Sequence, residues 1–416
     1  MHPRSPRLLM PAALLAVMLS AGPALSQHAD GAPRVFLMQG PAMERLRALA
    51  ADNPELAPMI AQLRQAADGA PKAGPFAVTH KPRIPASGDP HDYASIAPYW
   101  WPDPRVPDGL PYISRDGRVN PQRNGPEFDA ARRAQMTAAV GILALTWYFT
   151  AHEPYGCRAT HLLRSWFLEP ETRMNPHLRY AQAIPGRADG RGIGIIETVE
   201  WIFLLDAVGL LSESECWTPE DQDGMQRWFA EYLDWLQTSQ FGQDEQSRVN
   251  NHGTWYDAQV VSFALFTDQP AIARRQIRER TLDRMDTQFA DDGSQPYEIE
   301  RTRSFHYSVY NLRAYFTVAR LAEHVDIDLW DRESIPGQVL SRALDYVLPA
   351  ATGSALWPHP EIGEIPSAEL GIELLPLAIS EWGDDRYREA YEGLDVDMLG
   401  RVARLVFPEF LLAGGR

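Results

Sequence analysis

From Glu127 onward the chain offers one helical segment after another and no run that a sheet could use. "AARRAQMTAAVGILALTWYFT" places apolar residues at helical spacing, and "IGIIETVEWIFLLDAVGLL" does so after the Gly- and Pro-rich "AIPGRADGRG". "PEDQDGMQRWFAEYLDWLQTS" follows, with Pro219 and Glu220 suited to a first turn. The same pattern continues through "GTWYDAQVVSFALFT", "AIARRQIRERTLDRMDTQF", "SFHYSVYNLRAYFTVARLAEHV", "VLSRALDYVLPAAT" and "GIELLPLAISEW". Residues 27–75 also read as helical, interrupted at Asn53-Pro54. No strand pair and no short exact repeat stands out. Helices of similar length joined by loops of variable length stack as antiparallel pairs. The closed form of that pattern is an all-α, (α/α) toroid, an incomplete α/α barrel whose loops build a cleft at one end. An open helical array is the alternative.

The amino terminus belongs to a different kind of segment. Arg4 and Arg7 form a basic head, Leu8 to Leu19 a short apolar stretch, and Ala24, Leu25 and Ser26 offer small residues before Gln27. This reads as a secretory signal peptide over residues 1–26, leaving 27–416 as a single domain, periplasmic or secreted. Its removal takes away two arginines and no acid, so the net charge moves from -16 to -18. Such acidity argues against nucleic acid as a partner, because phosphates must be neutralised. A polyanionic substrate would have to meet a local basic pocket. No later run is long and apolar enough to span a bilayer. Cys157 and Cys216 are the only cysteines. An oxidising compartment permits them to pair, and the sequence leaves open whether they meet.

Residues 76–125 break the helical pattern. They are rich in Pro, Gly, Asp and aromatic residues, a long irregular segment of the kind that is functional or disordered. The rings of Tyr93, Tyr99, Trp100, Trp101 and Tyr112 argue for order. Sugar rings present C–H faces that stack on such surfaces. The competing reading is a cover whose aromatics pack on the helices.

Two further stretches carry chemistry. "VNNHGTWYDA" puts Asn250, Asn251 and His252 before an apolar run, although a helix start needs one capping side chain. With Asn250 as the cap, the Asn251 amide is free to donate to a ligand. A histidine in that first turn sits at the positive end of the helix dipole and tends to stay neutral. "YEIERTRSFHYSVYNL" brings Arg301, Arg303, His306, Tyr307 and Tyr310 together. In a helix from about Thr302, Arg303, Tyr307 and Tyr310 share a face, with Arg301 at its mouth. Asn, His, Arg and Tyr suit β-elimination on a uronic acid. Removing the proton at C5 builds negative charge on the neighbouring carboxylate, which needs donors where that charge develops. A tyrosine that exchanges the protons needs a cation nearby to ionise usefully.

The blocks "NNHGTWYD", "ERTRSFHYSVYNL", "DYASIAPYWWPDP", "DGLPYI" and "QAIPGRADGRGIGII", in order over roughly residues 75–380, resemble the alginate lyase domain family. These are polysaccharide lyases of the α/α-toroid type, most closely family thirty-eight and more distantly family five. The resemblance implies a toroid, a metal-free mechanism with no cofactor, and an anionic polysaccharide as substrate, of mannuronate-type alginate or glucuronan. It implies Asn251, His252, Arg301 and Tyr307 as catalytic residues, with Arg303 as the alternative arginine. Tyr93, Tyr99, Trp100, Trp101, Gln182, Arg303 and Tyr310 are then expected to contact substrate. A glycoside hydrolase using Glu298 and Glu300, or a periplasmic saccharide-binding protein, are the other readings. The eleven histidines show no metal-ligand spacing.

The leader carries its own test. Mass spectrometry of the exported protein should find an amino terminus near Gln27, and an intact Met1 on protein from the soluble cell fraction would refute the assignment.

Overall fold

The computed structural model describes residues 32–394, apart from 51, 52, 55, 71–73, 75, 335 and 336, together with residues 405–407. The expected leader lies outside them. The architecture is the all-α toroid anticipated from the helical pattern. In chain order the helices are α1 (Gly40–Leu49), α2 (Leu56–Gly69), α3 (Ala130–Thr150), α4 (Glu153–Leu163), α5 (Trp201–Leu210), α6 (Pro219–Thr238), α7 (Gln240–Gln246) and α8 (Asn251–Phe266). They continue with α9 (Pro270–Gln276), α10 (Leu282–Gln288), α11 (Pro296–Ile299), α12 (Ser304–Ala322), α13 (Val339–Ala351), α14 (Ala368–Ile372), α15 (Leu374–Trp382) and α16 (Asp385–Gly393).

Several bounds follow from local chemistry. Thr218 and Asp221 form a reciprocal capping box at the start of α6, whose Pro219 needs no hydrogen-bond acceptor there. The reading of "IGIIETVEWIFLLDAVGLL" as one helix is corrected. Gly192–Thr198 is a 3-10 turn, and only α5 is α-helical. Likewise α9 and α10 are separated by a π turn at Ile277–Thr281. Helices α4, α7, α11 and α16 are additions to the sequence reading.

The absence of strand pairs is also corrected. Three short pairs exist: β1 (Ala94–Ile96) with β4 (Tyr180–Ala183), β2 (Trp100–Trp101) with β3 (Ile113–Ser114), and β5 (Glu333–Ser334) with β6 (Gly337–Gln338). None is long enough to establish a period of two in sequence.

Two helices form the centre. All of α8 except His252 is buried, and α12 is buried except for His306, Tyr310 and Arg313. α8 packs against α12, α6 and α5, so it is surrounded on every side. Its polar residues find partners within that core: Asp257 accepts from Gln276, Thr281 and Arg284. The three partly exposed positions of α12 recur at i, i+4 and i+7, one stripe of the helix. Cys157 of α4 and Cys216 before α6 are bonded, closing a separation of 59 residues.

The segment before α1 acts as a strap. Asp206 of α5 accepts the backbone N–H groups of Phe36, Leu37 and Met38 at 2.6, 2.9 and 2.6 Å. Burial pushes its carboxyl up to about 7, against the pull of those donors. Arg34 donates to the Leu265 carbonyl and pairs with Asp268, and the His324 ring meets the Phe36 carbonyl at 2.8 Å. Asp206→Ala would leave three N–H groups unmet, each costing about 1–3 kcal/mol when buried. Urea unfolding should therefore report a stability lower by about 3 kcal/mol or more. An unchanged stability would show that water replaces the carboxylate.

Candidate active site

A cleft of about 700 Å³ opens where the first turns of α8 and α12 meet the irregular segment. Asn250, Asn251 and His252 line it from one helix, and Arg301, His306, Tyr307 and Tyr310 from the other. Tyr99, Trp100 and Asp116 close it from the segment before α3, and Gln182 from β4. Two stretches about 50 residues apart in sequence are thus brought to one place, as their chemistry led one to expect.

The Asn-Asn-His run resolves in an unexpected way. Asn250 occupies the cap position, but its side chain makes no capping hydrogen bond. The cap comes from Glu298 of α11. Its carboxylate accepts the Asn251 backbone N–H at 2.6 Å and the Asn251 side-chain amide at 2.8 Å. Burial raises the Glu298 carboxyl, and the two Asn251 bonds pull it back. The Asn251 amide is therefore not wholly free. One of its two N–H groups is committed, its orientation is fixed, and its oxygen is buried without a partner.

His252 is partly exposed and its Nδ1 lies 2.6 Å from a carboxylate oxygen of Glu245. Glu245 is fully buried. The helix dipole is thus not the only charge at this ring. A carboxylate accepts from Nδ1–H, which leaves Nε2 as the atom available to a ligand. Gly253 follows because nothing larger fits. A Cβ there would run into the Arg248 carbonyl and the Arg284 guanidinium.

On the facing helix, the Arg301 guanidinium lies over the Tyr307 ring, 4.0 Å from its centroid. Arg301 also pairs with Asp116 at 3.0 Å, and Thr302 donates to the same carboxylate. The Tyr307 and Tyr99 hydroxyls are 2.6 Å apart. Burial pushes the Tyr307 phenol well above its ordinary value. Tyr99 adds to that shift, and Arg301 opposes it without reversing it. Arg301 favours the phenolate in the expected direction, but the net expectation is corrected: desolvation of the charged form is the larger effect.

Other expected contacts fall elsewhere. Tyr93 is fully buried, its hydroxyl donating to Glu197 at 2.7 Å, so it offers no ring face to a sugar. Trp101 does not line the cleft. Successive residues of a strand face opposite ways, and Trp101 carries Arg115 over its ring and donates to the Arg118 carbonyl. Trp100 does line the cleft, with Arg187 over its ring. Arg303 lies off the cleft, 3.9 Å from Glu361. Its predicted stripe with Tyr307 does not form, because α12 begins at Ser304, two residues later than expected, and leaves Arg303 as the non-helical cap residue. Gln182 and Tyr310 line the cleft, and Tyr310 packs against Trp255 and His306.

The acids proposed for hydrolysis are not arranged for it. Glu298 is buried beneath Asn251, and Glu300 is exposed outside the cleft. The carboxylates that do line the cleft are each engaged: Asp116 with Arg301, Glu200 with Arg133, and Glu197 with Arg123, Tyr93 and Ser95. Sequence reasoning missed Glu245, Asp116 and the capping role of Glu298. Each acts on a partner through space, and no local pattern marks it. Glu153, Cys157 and Cys216 lie close enough to share a metal ion, but both cysteines are committed to the disulfide.

Comparison with known proteins matches this geometry to a family. A model of the alginate lyase family matches residues 77–357. An alginate lyase from Bacteroides ovatus is 34% identical, with a TM-score of 0.85 over 90% of this chain and 99% of that one. Alginate lyase A1-III from a Sphingomonas species is 15% identical, with a TM-score of 0.58 over 92% of this chain and 99% of that one. A variant of A1-III crystallised with a tetrasaccharide gives 14% and 0.57, covering 91% and 97%. At those identities the A1-III likeness speaks for the fold. No curated protein sequence matches the chain. A family match over more than half of the sequence and a relative aligned along nearly its whole length lead to one conclusion: the chain belongs to the alginate lyase family and is a polysaccharide lyase.

Proposed function

We propose that the protein cleaves a mannuronate-type alginate or a glucuronan by β-elimination, with Tyr307 as both base and acid. What carries the reading is the meeting of Asn251, His252, Arg301 and Tyr307 in one cleft, from two helix starts. In this reading the uronate carboxylate faces the remaining Asn251 N–H, His252 Nε2 and the Arg301 guanidinium. These groups neutralise it as the C5–H bond breaks. With the Tyr307 phenol first ionised, its proton lost to solvent, the phenolate oxygen takes the C5 proton, the C4–O4 bond breaks, a C4=C5 double bond forms, and the proton passes from Tyr307 to O4. In β-D-mannuronate and β-D-glucuronate, H5 and O4 lie on one side of the ring, so a single phenolic oxygen reaches both. α-L-guluronate is the C5 epimer and needs a second group on the opposite face. His252 is the candidate there. The anticipated leader sequence supports action in the periplasm or outside the cell.

The commitment of the cleft carboxylates to arginines favours a lyase over a hydrolase, which needs two free acids flanking the bond. A non-catalytic binder would have no use for a tyrosine hydroxyl buried beside an arginine.

The carboxylate donors are tested first. Removing a donor to a developing oxyanion costs about a hundredfold in turnover. His252→Ala and Asn251→Ala should each show a loss of that order on mannuronan while remaining folded. Near-normal rates in either variant would reject that residue's role.

The second test concerns Tyr307. Tyr307→Phe deletes only a hydroxyl, so it should fold, bind oligomannuronate, and form almost none of the ultraviolet-absorbing unsaturated product. In the wild type, kcat/KM reports the free enzyme. Because the free phenol titrates above its ordinary value, kcat/KM on mannuronan should still be climbing between about pH 7 and pH 9. Substantial elimination by Tyr307→Phe, or a wild-type preference for guluronan over mannuronan and glucuronan, would move the base role to His252.

A further inference from the structure

Arg301, Arg123 and Arg133 line the cleft, and each faces a carboxylate. Arg191 lines the same cleft without one: among the described residues, no Asp or Glu lies within ion-pair distance of it. Its guanidinium is held by a neutral group instead. Nε–H donates to the main-chain oxygen of Gln182, and Nη2–H to the side-chain oxygen of the same residue, both at 2.9 Å. Those two bonds use the side edge of the guanidinium. The end edge keeps a parallel pair of N–H groups on Nη1 and Nη2, the fork that fits a carboxylate.

The backbone around this pair is built to close tolerances. Gln182 has φ 50, a left-handed conformation that costs a non-glycine residue about 1 kcal/mol or more. The Gln182 N–H donates to Ser95 at 2.8 Å, and the Arg191 N–H donates to Ala181 at 3.0 Å. A Cβ on Gly190 would strike the Arg179 carbonyl, so only glycine lets the returning chain cross β4 this closely. Burial lowers the Arg191 pKa to about 10, with the more distant Glu197 opposing and exposed Arg248 adding to the fall. It remains a cation at neutral pH. A half-buried cation with no carboxylate in contact, only Glu197 and Glu245 at longer range, leaves electrostatic stabilisation to be supplied by a ligand.

We propose that Arg191 anchors the carboxylate of a sugar unit next to the one that reacts, with Gln182 as its positioning residue. The ligand class is a uronate oligomer of at least two units. A neutral hexose at that place would leave the fork unmet. The proposal rests on reading the cleft as a polyuronate lyase site, and it deepens that reading by assigning a second subsite.

The test compares wild type, Arg191→Gln and Arg191→Lys on mannuronan, following the absorbing product. The expected result for Arg191→Gln is a KM raised by about tenfold or more with kcat within about threefold, the pattern for lost uniform binding. Arg191→Lys keeps the charge and loses the fork, so it should fall between. A binding arm measures mannuronate tetrasaccharide on Tyr307→Phe with and without Arg191→Gln, where Kd should weaken by about tenfold or more, the scale of one lost charge-assisted contact. Unchanged KM and Kd would overturn the proposal. A fall in kcat at constant KM would overturn it too, because Arg191 would then act on the reacting unit. If Arg191→Gln does not fold, Arg191→Lys decides by the same criteria. A wild type inactive on every polyuronate sinks the lyase reading, while the tetrasaccharide arm still reports on Arg191.

Discussion

Two glutamates from distant parts of the chain hold the starts of the helices that face the cleft. Glu298 caps α8 through the Asn251 N–H, and Glu361 caps α12 by accepting the Phe305 N–H at 2.7 Å. Neither local cap position, Asn250 or Arg303, supplies a side-chain bond. A helix amino terminus carries unmet donors and partial positive charge, so a buried carboxylate is a strong partner for it. Glu298 does more, because it also fixes the Asn251 amide. It lies in the short turn leading to Arg301, whose N–H bonds to the Glu298 carbonyl. The contact that starts α8 therefore also sets where Arg301 and the first turn of α12 can be.

The same logic of local pairing answers how an acidic chain receives a polyanion. The net charge is -16, yet at physiological ionic strength charges beyond about 8 Å are largely screened. Under the proposed function, a bound uronate would meet the cleft wall, where arginines and carboxylates pair at contact distance. Paired arginines are oriented but partly neutralised. Arg191 keeps its full charge because Gln182 orients it with carbonyl dipoles rather than with a carboxylate.

The helical fold was legible because the signal is long: α3, α6, α8 and α12 each run for sixteen residues or more, enough for a 3.6-residue period to show. The strand pairs, of two to four residues, are too short to show one. The candidate cleft was legible where its lining is local. Asn251 and His252 adjoin in sequence, and Arg301 and Tyr307 share one short stretch. It was illegible where the partner is remote. Nothing in "NNHG" reveals that its cap is 47 residues away, and nothing in "DYASIAPYWW" separates Tyr93 in the core from Trp100 in the cleft. The state of Tyr307 was illegible for a different reason: the arginines are visible in sequence but the burial is not, and for an enclosed phenol the loss of water outweighs one neighbouring cation.

The strap formed by residues 34–38 bonds to positions 206, 265, 268 and 324, so its partners lie 168 to 288 residues further along. A chain emerging amino terminus first displays this apolar stretch, Val35 to Met38, long before any of its partners exists. Contacts of such separation are slow to form because the loop entropy comes first. The strap can therefore seat fully only once residue 324 has been made, and until then the new chain carries an apolar segment that the finished fold covers.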